Sequence, residues 1–138
     1  MRKENIICLS GATFPLLIGL FIYLTAEGRT YISECAGRAG IVLPSIDYPQ
    51  VIRNHVCDFL WGFALFSGLR FFADKSRTPA ISALIALSVA VSLEVIQALP
   101  IIPGTFDPID ILTETAAVMA AMFISTLSRR LITNEQDT

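Results

Sequence analysis

Histidine, amide and carboxylate side chains recur at three- and four-residue spacings inside apolar stretches of this chain. His55 precedes Asp58 by three residues, Glu94 precedes Gln97 by three, and Asp107, Asp110 and Glu114 follow one another at three and four. On an α-helix such spacings bring side chains to one face, so each set reads as one polar stripe. An ionisable group in hydrocarbon costs about 2.5–3.5 kcal/mol on insertion scales. Glu94 and Glu114 stand beside runs such as Ser88-Val89-Ala90-Val91-Ser92-Leu93 and Ala116-Ala117-Val118-Met119, where an unpaired carboxylate needs a reason. Asp107 has a plainer reading as a helix N-cap, because Pro108 follows it. Asn54 and His55 read equally well as a solvated helix end, and Asp110 gains from the positive end of a helix dipole.

The charge count narrows the chemistry. Asp58, Glu94, Asp107, Asp110 and Glu114 are five carboxylates with His55 and Arg53 as the nearby counter-charges. Drawn together away from water they cannot all stay ionised, so the group holds protons, binds a cation or receives the cationic part of a ligand. If the chain is an enzyme, Glu94 is the candidate general acid or base and His55 the alternate proton carrier. No nucleophile stands out, since Ser88, Ser92 and Thr113 lack a histidine at a recognisable spacing. No established metal motif is present either, so no metal or other cofactor is expected, although a divalent cation held by oxygens and His55 is chemically open.

Helices must position these groups. A helix crosses about 30 Å of hydrocarbon in roughly 20 residues, and four apolar runs meet that length, at about 6–25, 54–72, 79–99 and 109–127. Strands are excluded, because the runs are too long and contain no turn signals. With 54% hydrophobic and 16% charged residues, the chain is more apolar than a soluble domain. The expected fold is an all-α membrane protein, one transmembrane domain over residues 1–138 built as a four-helix bundle. The first run reads as a membrane helix rather than a cleaved signal, because Leu24-Thr25-Ala26 is a poor cleavage site.

Basic residues give the orientation. Arg2 and Lys3 precede the first run, Arg70, Lys75 and Arg77 lie between the second and third, and Arg129 and Arg130 follow the fourth. Both ends are therefore expected in the cytoplasm, with residues 26–53 as an extracytoplasmic loop. Within that loop the apolar patch Gly40-Ile41-Val42-Leu43-Pro44 is expected to rest on headgroups or cap the helices. The polar stripes then fall in the outer third of the bilayer. Small residues at Gly62, Ala117 and Ala121 continue them inward and let helices approach closely. Tyr23, Tyr31 and Tyr48 read as interfacial anchors, and Trp61 as a core residue. Cys8, Cys35 and Cys57 have no metal-ligand spacing, and a net charge of −2 with scattered basic residues excludes a nucleic-acid partner.

At His55 and Asp58, Glu94-Val95-Ile96-Gln97, and Gly104-Thr105-Phe106-Asp107-Pro108-Ile109-Asp110 the chain resembles the VanZ-like family of small bacterial membrane proteins. The likeness covers about residues 53–122. It implies a multi-pass protein of the cell membrane, and an association with the cell envelope and with glycopeptide resistance, rather than a defined reaction. The chain departs from the family pattern at Glu114, where an asparagine is usual, at Ala117, where glycine is, and in having no basic residue between Gln97 and Asp107.

Three functions compete at this stage. Asp58, Glu94, Gln97, Asp107, Asp110 and Glu114 bind, or help to modify, an envelope lipid, a cell-wall precursor or a glycopeptide. Alternatively the acids relay protons or ions in a small transporter subunit, although residues 63–66, 81–86 and 119–124 offer almost no polar groups to continue the path. Thirdly, they join helices with no ligand. Expected partners are membrane lipids and, given the small bundle, a second copy of the chain.

Overall fold

The computed structural model describes residues 3–27, 31–73, 78–98 and 107–136. Its regular elements among the described residues are helices: α1 (Lys3–Thr25), α2 (Tyr31–Arg38), a π-helical turn (Ile52–Val56) that runs directly into α3 (Cys57–Phe72), α4 (Pro79–Ala98) and α5 (Pro108–Gln136). Among the described residues there is no β-strand. Residues 99–106, which include Leu99 and the Gly104-Thr105-Phe106 part of the family-like segment, lie outside the described residues, as do Arg2, Arg29, Lys75 and Arg77.

Three helices, at Lys3–Thr25, Pro79–Gln97 and Pro108–Ile132, are long and apolar enough to cross a membrane. The 16-residue α3 is shorter, but the five-residue π turn extends it without leaving helical backbone angles, since Val51 and Cys57 on either side are both right-handed helical. The helices are apolar outward as well as inward. Phe14 is 64% exposed and Phe123 67%, an arrangement unfavourable in water and suited to hydrocarbon.

α3 is the central element, packed against α1, α4 and α5, while α5 also lies along α4. A core of Phe66, Ala83, Ala86, Val118 and Ala121 joins α3, α4 and α5. Small residues set the spacing. A Cβ placed on Gly62 would lie 3.1 Å from the Glu114 carbonyl oxygen and 3.3 Å from the Ala117 Cβ, so α3 and α5 touch nearly backbone to backbone at the level of Glu114. Because that neighbour is main chain, it cannot rotate aside. Gly62→Leu is expected to separate the two helices at a cost of about 1–3 kcal/mol, read as a lower melting temperature of the detergent-purified protein; an unchanged melt would show that the contact is loose.

The segment between α1 and α3 is more ordered than its composition suggests. α2 ends in Gly40 at φ 78°, with Ile41 N–H donating to the Ala36 carbonyl at 2.9 Å and Gly40 N–H to that of Gly37 at 3.0 Å. This pair of bonds closes a helix with a left-handed glycine. The chain then returns to the end of α1, where Ile46 N–H donates to Thr25 O and Glu27 N–H to Ile46 O. The Thr25 and Tyr48 hydroxyls meet at 2.9 Å. Val42 is 87% exposed, and the whole patch from Gly40 to Pro44 lies on the surface.

Several boundaries differ from expectation. α5 continues well past residue 127, because nothing in Ser128-Arg129-Arg130-Leu131-Ile132 breaks a helix. Arg70 lies in the last turn of α3, inside the expected run of 54–72, and is buried at 6% exposure. It lines a cavity of about 70 Å³ with Glu4, Cys8, Ser128 and Arg129, and Arg129 Nε reaches Glu4 Oε1 at 3.7 Å. Trp61 is not core. At 41% exposure it borders a groove of about 340 Å³ between α1 and α3, with Pro15, Gly19, Tyr23, Cys57 and Leu60, whereas the inward position beside it is held by Gly62.

Candidate functional site

The start of α3, the end of α4 and the start of α5 meet at one end of the bundle. His55 Nδ1 lies 3.1 Å from Asp110 Oδ1, and both side chains are partly buried. Asp58 lies close to the same pair, within electrostatic reach of Asp110. Ligand atoms of His55, Asp58 and Asp110 all lie within 4.8 Å of one another. The π turn ends beside this group and carries His55 itself; such turns are frequent at functional sites.

Glu94 and Glu114 flank the trio and are each only 6% exposed. Glu94 Oε2 faces the Asp107 N–H at a long 3.4 Å, so it sits at the N-terminus of α5, where a carboxylate is favoured by the helix dipole. Glu114 interacts electrostatically with Glu94 and Asp110, and with Asp58. Its Oε2 is buried without a hydrogen-bond partner. Tyr23, at the end of α1, is within electrostatic reach of Asp58 and Asp110 and also borders the α1/α3 groove. The site and the groove are therefore neighbours.

The remaining candidates contribute differently. Asp107 caps α5, accepting the Ile109 N–H at 2.9 Å with Pro108 as the first helical residue, so one of its oxygens is engaged in the helix end. Gln97 lies one turn from Glu94 and is half-buried; no hydrogen bond of its side chain joins it to the cluster among the described residues. Asn54 is exposed, in keeping with a solvated helix end. The hydroxyls of Ser88, Ser92 and Thr113 donate to the carbonyls of Leu84, Ser88 and Ile109 on their own helices, which leaves none beside His55 as a nucleophile. Chemically, the arrangement supports proton transfer through the His55–Asp110 pair and capture of a positive charge by the surrounding acids.

Reading the sequence alone missed α2, the π turn and the proximity of Tyr23. A tyrosine two residues before the end of the first apolar run is a usable signal for the last of these, since an antiparallel partner brings that end beside the start of α3. No protein family, curated protein or solved structure matches the chain.

Proposed function

We propose that this chain is a VanZ-like protein of the cell membrane, crossing it four times with both ends in the cytoplasm, and that it binds a ligand at the outer leaflet. The ligand class is an envelope lipid, a lipid-linked cell-wall precursor, or a glycopeptide that recognises one. The carrying observation is the meeting of Asp58, Glu94, Asp110 and Glu114 from three helices at one end, beside an apolar groove of about 340 Å³. The acids face a cationic or hydrogen-bond-donating headgroup, and the groove between Pro15, Gly19 and Trp61 receives the apolar tail. Gln97 and Asp107 border the same end and complete the binding set. If bonds are made or broken, His55 oriented by Asp110 moves the proton, and Glu94 stands next to it as a second acid.

A transport path finds no support in the packing. One to two turns below the acids the bundle is filled by Phe66, Ala86 and Val118, each at most 1% exposed. A proton or ion would have to cross that apolar layer within a single copy.

The reading is tested by expressing the chain in teicoplanin-susceptible bacteria. Wild type is expected to raise the inhibitory concentration, and Glu94→Gln or Asp110→Asn to abolish the effect at unchanged membrane abundance. Equal protection by both amide variants would reduce these acids to helix-joining groups. Absence of protection by wild type, together with no lipid retained on purification, would overturn the ligand reading.

A further inference from the structure

The trio at the start of α3 and α5 has the composition and spacing of a metal-binding set. His55, Asp58 and Asp110 each offer a ligand atom, all within 4.8 Å of one another. The His55 Nδ1 to Asp110 Oδ1 separation of 3.1 Å falls in the span between two adjacent ligands of one ion, about 2.8–3.6 Å from octahedral to tetrahedral geometry when the bonds are roughly 2.0–2.2 Å. Glu114 is a second and independent sign of a ligand. It is 6% exposed, its Oε2 has no hydrogen-bond partner, and its charge bears on both Asp110 and Asp58. A buried carboxylate oxygen is costly to leave unsatisfied, and a cation among these oxygens satisfies it.

We propose that His55, Asp58 and Asp110 bind one divalent transition-metal ion, with Glu114, outside that set of neighbouring ligand atoms, accepting a hydrogen bond from a water the ion holds. An imidazole with two or three carboxylates suits zinc or manganese; magnesium and calcium favour oxygen alone. The ion offsets the charge of Asp58, Asp110 and the flanking acids. This rests on the reading that α3 and α5 form one polar site, but not on the ligand being a lipid or glycopeptide.

The test uses full-length protein in detergent, stripped with EDTA, reloaded with Zn²⁺ or Mn²⁺, desalted and measured by elemental analysis and thermal melting. Wild type is expected to retain about one ion per chain and to melt at a higher temperature when loaded, as any ligand specific to the folded state requires. Joint replacement Asp58→Asn and Asp110→Asn is expected to lower the retained metal by about tenfold or more and to remove the metal-dependent rise. Should that variant fail to fold, His55→Ala, at the less buried edge of the trio, gives the same readout. The proposal is overturned if wild type retains less than about a tenth of an ion per chain with either metal, or if the folded variants hold as much as wild type. Metal retained by a wild type that gives no teicoplanin protection and keeps no lipid on purification overturns the ligand reading and leaves the metal site standing.

Discussion

Cys35 is expected to react with a membrane-impermeant maleimide in intact cells, while a cysteine at position 131 reacts only after the membrane is opened. Cys35 is exposed on α2, Cys8 is half-buried and Cys57 buried, so replacing the last two by alanine leaves a single reporter. Leu131→Cys, made in a chain whose own cysteines are all alanine, reports the other end, because Leu131 is 59% exposed beyond Arg129 and Arg130 on α5. Basic residues near helix ends resist translocation, and those at the α1 start and α5 end lie opposite the end that carries His55 and Asp110. Labelling of the 131 reporter from outside would invert the proposed orientation and move the acidic site to the cytoplasmic leaflet, which would exclude an extracellular glycopeptide as its ligand.

The long helices were legible because crossing hydrocarbon imposes both a minimum length and an apolar composition, and few alternatives satisfy both. Their ends were less so. α5 runs on to Gln136 because a polar, Gly- and Pro-free tail keeps helical geometry after it leaves the apolar layer, whereas hydropathy registers only the loss of apolar residues. α2 escaped notice since eight mixed residues carry no length signal, and its stop depends on a glycine conformation seen only in three dimensions. At the site, the spacing of His55 with Asp58 indicated a shared face, and the acid pair of α5 indicated another. Which faces meet is a matter of helix rotation. Gly62 settles it by allowing α5 to seat at Glu114, and the same rotation turns Trp61 out toward the α1 groove. An apolar run makes Glu94 the expected general acid or base; its long contact with the α5 N-terminus is a competing use for its charge that no spacing discloses.

Glu114→Leu is expected to stabilise the metal-free protein while weakening its function. A leucine fills similar volume and removes an oxygen that is buried without a hydrogen-bond partner, and leaving such a group unsatisfied costs about 1–3 kcal/mol. It also removes one negative charge from beside Asp110 and Glu94. Melting in EDTA isolates this contribution from any bound ion: the variant should unfold at a higher temperature than wild type, and in the teicoplanin assay it should protect less. That combination separates a binding group from a structural one, because residues that serve a ligand are commonly retained at the expense of stability. A lower melting temperature would instead mean that the Glu114 carboxyl helps to join α5 to its neighbours. Its burial would then follow from helix packing, where interhelical polar contacts average only about 0.6 kcal/mol, and the acidic end would lose its strongest sign of a missing partner.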